Sequence, residues 1–195
     1  MSRLIYLLRH GQTAYNAELR LQGRCNSDLT EKGEAQAIAM GVRLRDELDE
    51  PVRWTVYASP LGRARQTALL VCEQLGLAVD RIVWDDRLME LGMGEWESRQ
   101  LPELRAAHPE LDTGKGDWYL QAPGAESFES IQRRAQQWLL DPAISGRAIV
   151  ISHGLLGAML RGVYADLDYA AVWAQELPQD AFYKLQDGHI TRIAC

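Results

Sequence analysis

The sequence contains few cysteines and no long apolar run. Its three cysteines, Cys25, Cys72 and Cys195, lie far apart and form no C-x-x-C pair. This pattern excludes a disulfide scaffold and a thiolate zinc site, and it predicts reduced thiols in a cytoplasmic protein. The first apolar run, Leu4–Leu8, is too short for a signal peptide or a membrane span. We therefore expect no contact with a membrane.

Positive charge is also scarce. The chain has 21 basic and 27 acidic side chains, which give a net charge of -6 and a pI near 5.3. This balance argues against an extended nucleic-acid surface. Because the only lysines are Lys32, Lys115 and Lys184, almost every cation is an arginine, which binds phosphate through paired hydrogen bonds. The sequence leaves the oligomeric state open, with a homodimer as one possibility.

Apolar periodicity predicts strands that alternate with helices in one domain over residues 1–195. The predicted strands are Leu4–Leu8, Trp54–Ala58, Ile82–Trp84, Ala148–Ser152, Ala181–Leu185 and His189–Ile193. The predicted helices are Thr30–Leu48, Ala64–Leu75, Leu101–His108, Glu126–Leu140 and Leu155–Tyr164. This alternation predicts an α/β fold, a three-layer α/β/α sandwich around a mostly parallel sheet.

Two segments depart from the alternation. Asp187-Gly188 is typical of a hairpin turn and predicts an antiparallel edge strand. Residues 95–127 are rich in proline and glycine and contain Trp96, Trp118 and Tyr119. They predict an irregular excursion over the surface. Its aromatic side chains either form a lid over a cleft or anchor a long loop.

Three predicted strands end at, or are followed by, residues with similar side-chain chemistry. The first ends at Arg9-His10-Gly11, the second is followed by Arg63, and the fourth ends at His153-Gly154. In an open α/β sheet, ligands bind beyond the carboxyl ends of the strands, so we expect these side chains to meet in one cleft. Guanidinium groups bind a tetrahedral phosphate, and imidazole is a competent nucleophile toward phosphorus. Such a site requires no metal, and its guanidinium groups would oppose a cation.

Five sequence blocks resemble one known family. In order and spacing they are similar to the histidine phosphatase superfamily, also called the phosphoglycerate-mutase-like family. The blocks are LLRHGQTAYN at Leu7–Asn16, YASPLGRARQTA at Tyr57–Ala68, RLMELGMGEWE at Arg87–Glu97, PGAESF at Pro123–Phe128 and VISHG at Val150–Gly154. The resemblance covers nearly the whole chain and implies the phosphoglycerate-mutase-like fold.

The resemblance also implies roles for individual residues. His10 is expected to be the nucleophile that becomes phosphohistidine, and Glu90 the proton donor to the leaving oxygen. Arg9, Arg63 and His153 are expected to bind the phosphate. Further substrate-binding positions are expected at Asn16, Gln22, Gly23, Ser59 and Gly154, although ordinary loop residues explain some of these equally well.

This chain departs from the family pattern at three positions. Asp28 stands where the family commonly has proline, and Ala125 and Ser98 stand where glycine is usual. None of these departures touches the expected chemistry.

The family includes both phosphatases and mutases. The interval from Glu90 to His153 is shorter than in cofactor-dependent mutases, and their longer C-terminal tail is absent. We therefore expect hydrolysis of a small phosphate monoester without a metal or another cofactor. Mutase-type phosphoryl transfer and a non-catalytic phosphate-binding module are the alternatives.

Overall fold

The computed structural model describes residues 3–111 and 116–195. Its strands are β1 (Leu4–Arg9), β2 (Thr55–Ala58), β3 (Ile82–Trp84), β4 (Arg147–Ser152), β5 (Ala181–Gln186) and β6 (His189–Ala194). Its helices are α1 (Ala14–Ala17), α2 (Glu31–Glu47), α3 (Gly62–Leu75), α4 (Leu101–Ala107), α5 (Phe128–Leu140), α6 (Gly154–Tyr164) and α7 (Tyr169–Trp173). Every predicted strand and helix is present. The short helices α1 and α7 were not predicted, because four or five residues are too few to show an apolar period.

The described strands form a six-stranded sheet in the order β3-β2-β4-β1-β5-β6. The pairs β1–β4, β2–β4 and β2–β3 are parallel, whereas β5 is antiparallel to both β1 and β6. Asp187 and Gly188, with φ of 50° and 78°, make the predicted hairpin turn. The edge strand β6 pairs antiparallel with β5, as the hairpin turn predicts, and β5 is the strand that runs against the other five.

Helices cover both faces of the sheet. Alternate residues of β1 point to opposite sides, as strand geometry requires. Ile5 and Leu7 pack into a core beneath α5 and α6, whereas Tyr6 and Leu8 pack into a second core beneath α2 and α3. These two cores confirm the predicted three-layer α/β/α sandwich.

The helix ends follow local sequence signals. The Thr30 side chain accepts a hydrogen bond from the Gly33 N–H and so caps α2, and Gly76 ends α3 in the left-handed conformation. Across residues 3–111 and 116–195, no helix is both long and apolar enough to cross a membrane.

The segment over residues 95–127 is less irregular than predicted. It contains α4 and short 3₁₀ turns at Pro109–Leu111 and Trp118–Gln121, while residues 112–115 lie outside the described part. The Trp96 side chain is only 6% exposed and belongs to the core under α5 and α6. Trp96 therefore anchors this segment.

Candidate active site

The carboxyl ends of β2, β4 and β1, which are neighbours in the sheet, bring the predicted residues together. Arg9 ends β1, Arg63 lies in the first turn of α3 after β2, and His153 follows β4. One cleft opens beside them. It is lined by Arg9, His10, Asn16, Leu21, Gln22, Gly23, Arg63, Glu90, Met93, Tyr119, Gly154, Leu155 and Leu177.

The His10 ring is held in one orientation. Its Nδ1 lies 2.7 Å from the Gly11 carbonyl oxygen, so Nδ1 carries the proton and donates it to that oxygen. A Cβ at Gly11 would lie 2.1 Å from the Gly33 carbonyl oxygen, so only glycine allows this close approach. Nε2 is left unprotonated, and it accepts a hydrogen bond from Arg63 Nε at 3.2 Å.

His10 stays uncharged in this environment. Burial first, and then the guanidinium groups of Arg63 and Arg9, lower the pKa of His10 well below its usual value of 6.5. An uncharged imidazole keeps the lone pair on Nε2 that a nucleophile needs. The tautomer and the charge state of His10 therefore both fit nucleophilic attack.

Arg63 is buried and Arg9 is half-buried, and neither has a carboxylate in hydrogen-bonding contact among the described residues. Arg63 donates to the backbone carbonyl oxygens of Cys25 and Gly23, both at 2.7 Å, and Arg9 donates to the Leu177 carbonyl oxygen. Burial lowers the pKa of Arg63 to about 10 and also lowers the pKa of Arg9. Both groups remain cationic at neutral pH and provide the charge that a phosphate dianion needs.

His153 lies next to His10 and lines an adjoining pocket together with Arg9 and Gly154. The two rings are 5.2 Å apart at an angle of 61°, and His153 Nε2 lies 2.7 Å from the Ser59 hydroxyl oxygen. Burial, followed by the charge of Arg63, lowers the pKa of His153 well below 6.5. The Ser59 hydroxyl bonds to His153 and is not among the described residues that line the cleft.

Glu90 is buried, lines the cleft and caps α6. Its carboxylate accepts hydrogen bonds from the backbone N–H groups of Leu91, Leu155 and Leu156, at 2.9 to 3.1 Å. These three donors fix the carboxyl group, which lies near Arg9 and Arg63. The geometry distinguishes Glu90 from its neighbour Glu95, which is exposed.

Four of the five less certain positions line the cleft, namely Asn16, Gln22, Gly23 and Gly154. Asn16 Oδ1 accepts hydrogen bonds from the Thr13 N–H at 3.2 Å and from Gln179 Nε2 at 3.1 Å. Gly23 has a φ of 51°, which favours glycine.

Buried polar atoms without partners concentrate at this cleft. In the described residues, six buried side-chain nitrogen or oxygen atoms have no hydrogen-bond partner, and three belong to predicted site residues: Arg9 Nε, Gln22 Oε1 and His153 Nδ1. Leaving such an atom unpaired costs about 1–3 kcal/mol. A bound oxyanion with further hydroxyl groups would satisfy these atoms.

Several contributors to the site carry no local sequence signal. Gln179 donates to the His10 carbonyl oxygen at 3.3 Å, and Leu177 supplies the carbonyl oxygen that holds Arg9. Glu97 accepts from the Arg24 N–H at 2.9 Å and from the Met93 N–H at 3.1 Å, which joins two loops of the cleft. Tyr119 lines the cleft from the 95–127 segment.

Comparisons with known proteins agree with this arrangement. A family model described as "Histidine phosphatase superfamily (branch 1)" matches residues 5–189. A relative named "Probable phosphoglycerate mutase GpmB", from Erwinia tasmaniensis, is 39% identical over 164 residues, covering 80% of this chain and 72% of that protein.

Two solved structures are also similar. Bacillus stearothermophilus YhfR has a TM-score of 0.77 and 28% identity, covering 99% of this chain and 96% of that one. A mycobacterial glucosyl-3-phosphoglycerate phosphatase in complex with VO3 has a TM-score of 0.77 and 27% identity, covering 100% and 98%. The chain therefore belongs to the histidine phosphatase superfamily.

Proposed function

We propose that this protein hydrolyses a small phosphate monoester through a phosphohistidine on His10. One observation carries the proposal: His10 Nδ1 donates to the Gly11 carbonyl oxygen, and the unprotonated Nε2 lies beside Arg63 in the cleft. A histidine that served only to bind phosphate would need a proton on the nitrogen that faces it. Here that nitrogen carries a lone pair.

The first step forms the bond between His10 Nε2 and phosphorus and breaks the bond between phosphorus and the ester oxygen. Arg9 and Arg63 offset the negative charge that develops on the equatorial oxygens, and His153 donates through its unpartnered Nδ1 in the tautomer that protonates that atom. Glu90 acts in its protonated form in this step: Oε1 keeps the N–H donors of Leu91 and Leu156, and the proton passes from Oε2 to the departing ester oxygen. The products are an alcohol and the phosphoenzyme.

The second step returns His10 to its starting state. Glu90, now a carboxylate, accepts a proton from a water molecule that attacks phosphorus. The bond between phosphorus and Nε2 breaks, and inorganic phosphate leaves. Every proton and bond is restored, so no cofactor is consumed.

The scheme requires no metal ion. Two guanidinium groups lie where a phosphoryl group would bind, and they supply the electrostatic stabilisation that a divalent cation provides in other phosphoryl-transfer enzymes. Their charge would also repel a cation from the same position. Metal independence is therefore part of the proposal.

The charges of the cleft favour hydrolysis over mutase activity. A mutase of this family holds a substrate with two anionic groups. Among the described residues that line the cleft, the only charged side chains are Arg9, Arg63 and Glu90, and all three are engaged at the first phosphoryl group. The relatives named mutase keep the alternative open to test.

Rapid-quench labelling with a radioactive phosphodonor distinguishes the three candidate functions. We expect an acid-labile, base-stable phosphoenzyme that decays to inorganic phosphate. Transfer of the label to a second substrate would instead identify a mutase. No label at all would indicate a phosphate-binding module and contradict the proposal.

A further inference from the structure

The wall of the cleft beyond the phosphate-binding residues is uncharged. Its side chains are those of Leu21, Met93, Leu155 and Leu177, together with Tyr119. Leu21, Met93 and Leu155 are each less than 10% exposed, so they form a packed surface. A leaving group that enters this cleft must exchange water for apolar contacts.

Among the described residues that line the cleft, no cation is left to bind a second anionic group of the substrate. Arg63 and Arg9 are held by backbone carbonyl oxygens beside His10. Arg24, which follows Gly23 in the chain, directs its guanidinium group toward Glu126 at 3.5 Å. A carboxylate or second phosphate on the leaving group would lose its hydration without gaining an ion pair, which is costly.

Tyr119 provides a flat aromatic surface in this wall. Its ring stacks on Trp118 with centroids 3.9 Å apart and an angle of 30°. Trp118 in turn lies 6.1 Å from the buried ring of Trp96. Because this stack is anchored in the core, Tyr119 is held in place and loses little conformational entropy when a ligand packs against it.

The amide of Gln22 adds a requirement for a hydrogen-bond donor. Gln22 is buried, lines the cleft, and its Oε1 has no partner among the described residues. A hydroxyl group donates to such an oxygen, whereas a carboxylate only accepts. The polar part of the cleft therefore also fits an uncharged leaving group that carries a second hydroxyl group.

We infer that the substrate is the phosphate ester of an uncharged alcohol with an apolar, preferably aromatic, face, and that Tyr119 is a residue that determines this specificity. This inference rests on the proposed phosphatase activity and narrows its substrate class. It predicts that esters with a carboxylate in the leaving group, such as 3-phosphoglycerate, are poor substrates.

Matched ester pairs test the inference. We would compare kcat/KM for benzyl phosphate with 4-carboxybenzyl phosphate, and for glycerol 3-phosphate with 3-phosphoglycerate. The members of each pair differ mainly in the carboxylate. We expect the uncharged member to be about 10–100-fold better in both pairs, because the carboxylate is desolvated without a partner. Equal or better turnover of the carboxylated members would overturn the inference while leaving the phosphatase proposal intact.

Two variants test whether the apolar wall of the cleft causes the preference for an aromatic leaving group. Tyr119→Ala should lower the ratio of benzyl phosphate to glycerol 3-phosphate turnover about 10-fold, because an aromatic contact is lost. Tyr164→Ala is the matched control, since Tyr164 does not line the cleft and its hydroxyl accepts from the Gly188 N–H in the β5–β6 hairpin, and it should leave the ratio unchanged. An unchanged ratio in Tyr119→Ala would remove Tyr119 as a specificity residue. Absence of turnover for all four esters would contradict the proposed function itself.

A gain-of-function variant tests the charge component separately. Met93→Lys places an ammonium group in the apolar wall on a side chain of similar length. It should raise kcat/KM for 4-carboxybenzyl phosphate about 10-fold relative to benzyl phosphate, with the fold checked by circular dichroism. A folded variant with no change in this ratio would show that the carboxylate does not approach Met93, and it would count against the inference.

Discussion

At the scale of single residues, the chemistry depends on which atoms are already occupied. His10 has one ring nitrogen bonded to Gly11 and the other beside Arg63. The Glu90 carboxylate is fixed by three N–H groups. The proposed nucleophile and the proposed proton donor are thus both oriented before substrate binds, which reduces the reorganisation needed in the transition state.

The role of Glu90 predicts a dependence on the leaving group. Glu90→Gln should lower kcat for alkyl phosphates about 10²–10⁴-fold, because a poor leaving group needs a proton. The loss for p-nitrophenyl phosphate should be much smaller, since p-nitrophenolate leaves without one. Glu95→Gln, at an exposed neighbouring position, is the control and should change neither rate. Equal losses for both esters in Glu90→Gln would assign Glu90 a different role.

Ser98 predicts a stabilising substitution. Its φ of 66° lies in the left-handed region, where a side chain costs about 1 kcal/mol or more. This strain explains why glycine is usual at the position in the family. Ser98→Gly should raise the free energy of unfolding by about 1 kcal/mol in urea denaturation, whereas Ser98→Ala, which keeps the strain, should not. A destabilised Ser98→Gly protein would show that the serine hydroxyl outweighs the strain.

At the scale of secondary-structure elements, α5 positions the segment that carries Glu90. Arg134 on α5 donates to the carbonyl oxygens of Arg87 and Met89 and forms a paired interaction with Glu126 at 2.8 and 2.9 Å. The backbone N–H of Glu126 also donates to the Gly92 carbonyl oxygen at 2.8 Å. These contacts fix the backbone before and after Glu90 in the chain, so Arg134 is a positioning residue.

This arrangement predicts a selective defect. Arg134→Lys keeps the charge but loses the planar pair of donors, so Glu90 should shift and kcat for alkyl phosphates should fall about 10-fold. Turnover of p-nitrophenyl phosphate should change less than about threefold, because it does not need the Glu90 proton. Arg133→Lys, at an exposed neighbouring position on α5, should affect neither ester. A uniform loss for both esters in Arg134→Lys would indicate a general structural role.

The sequence predicts the helices and strands more completely than it predicts the contacts of the site. The major helices and strands carry apolar periods, and residues at strand ends such as Arg9 and His153 could be assigned to one cleft from the direction of a parallel sheet. The contact of Arg9 with Leu177 spans 168 residues, and no local pattern encodes such a pair. Tyr119 was not distinguishable from Trp96, although one lines the cleft and the other anchors the core.

At the scale of the whole molecule, the site imposes a cost on stability. His10 and His153 are both buried, and burial lowers both pKa values in the folded state. In the unfolded chain an imidazole has its ordinary pKa of about 6.5. Below that pH the unfolded chain binds protons that the folded protein does not bind, so acidification favours unfolding.

The expected consequence is a loss of stability between pH 6.5 and 5.5. Each histidine should contribute a slope approaching ~1.4 kcal/mol per pH unit, with the free energy of unfolding falling as pH decreases. Urea titrations at several pH values measure this slope. The double variant His10→Asn, His153→Asn should lose most of it, whereas His189→Asn, at an exposed position, should keep it. The same slope in the double variant would mean that other groups cause the effect.

The proposal that His10 is the nucleophile is tested most directly by ³¹P NMR of the phosphoenzyme trapped during turnover. A ¹H–³¹P correlation identifies the modified atom. We expect one phosphoramidate, on Nε2 of His10, which disappears in His10→Ala together with all but a few per cent of the activity. A phosphoryl group on Nδ1 or on another residue, or full turnover in His10→Ala, would contradict the proposal.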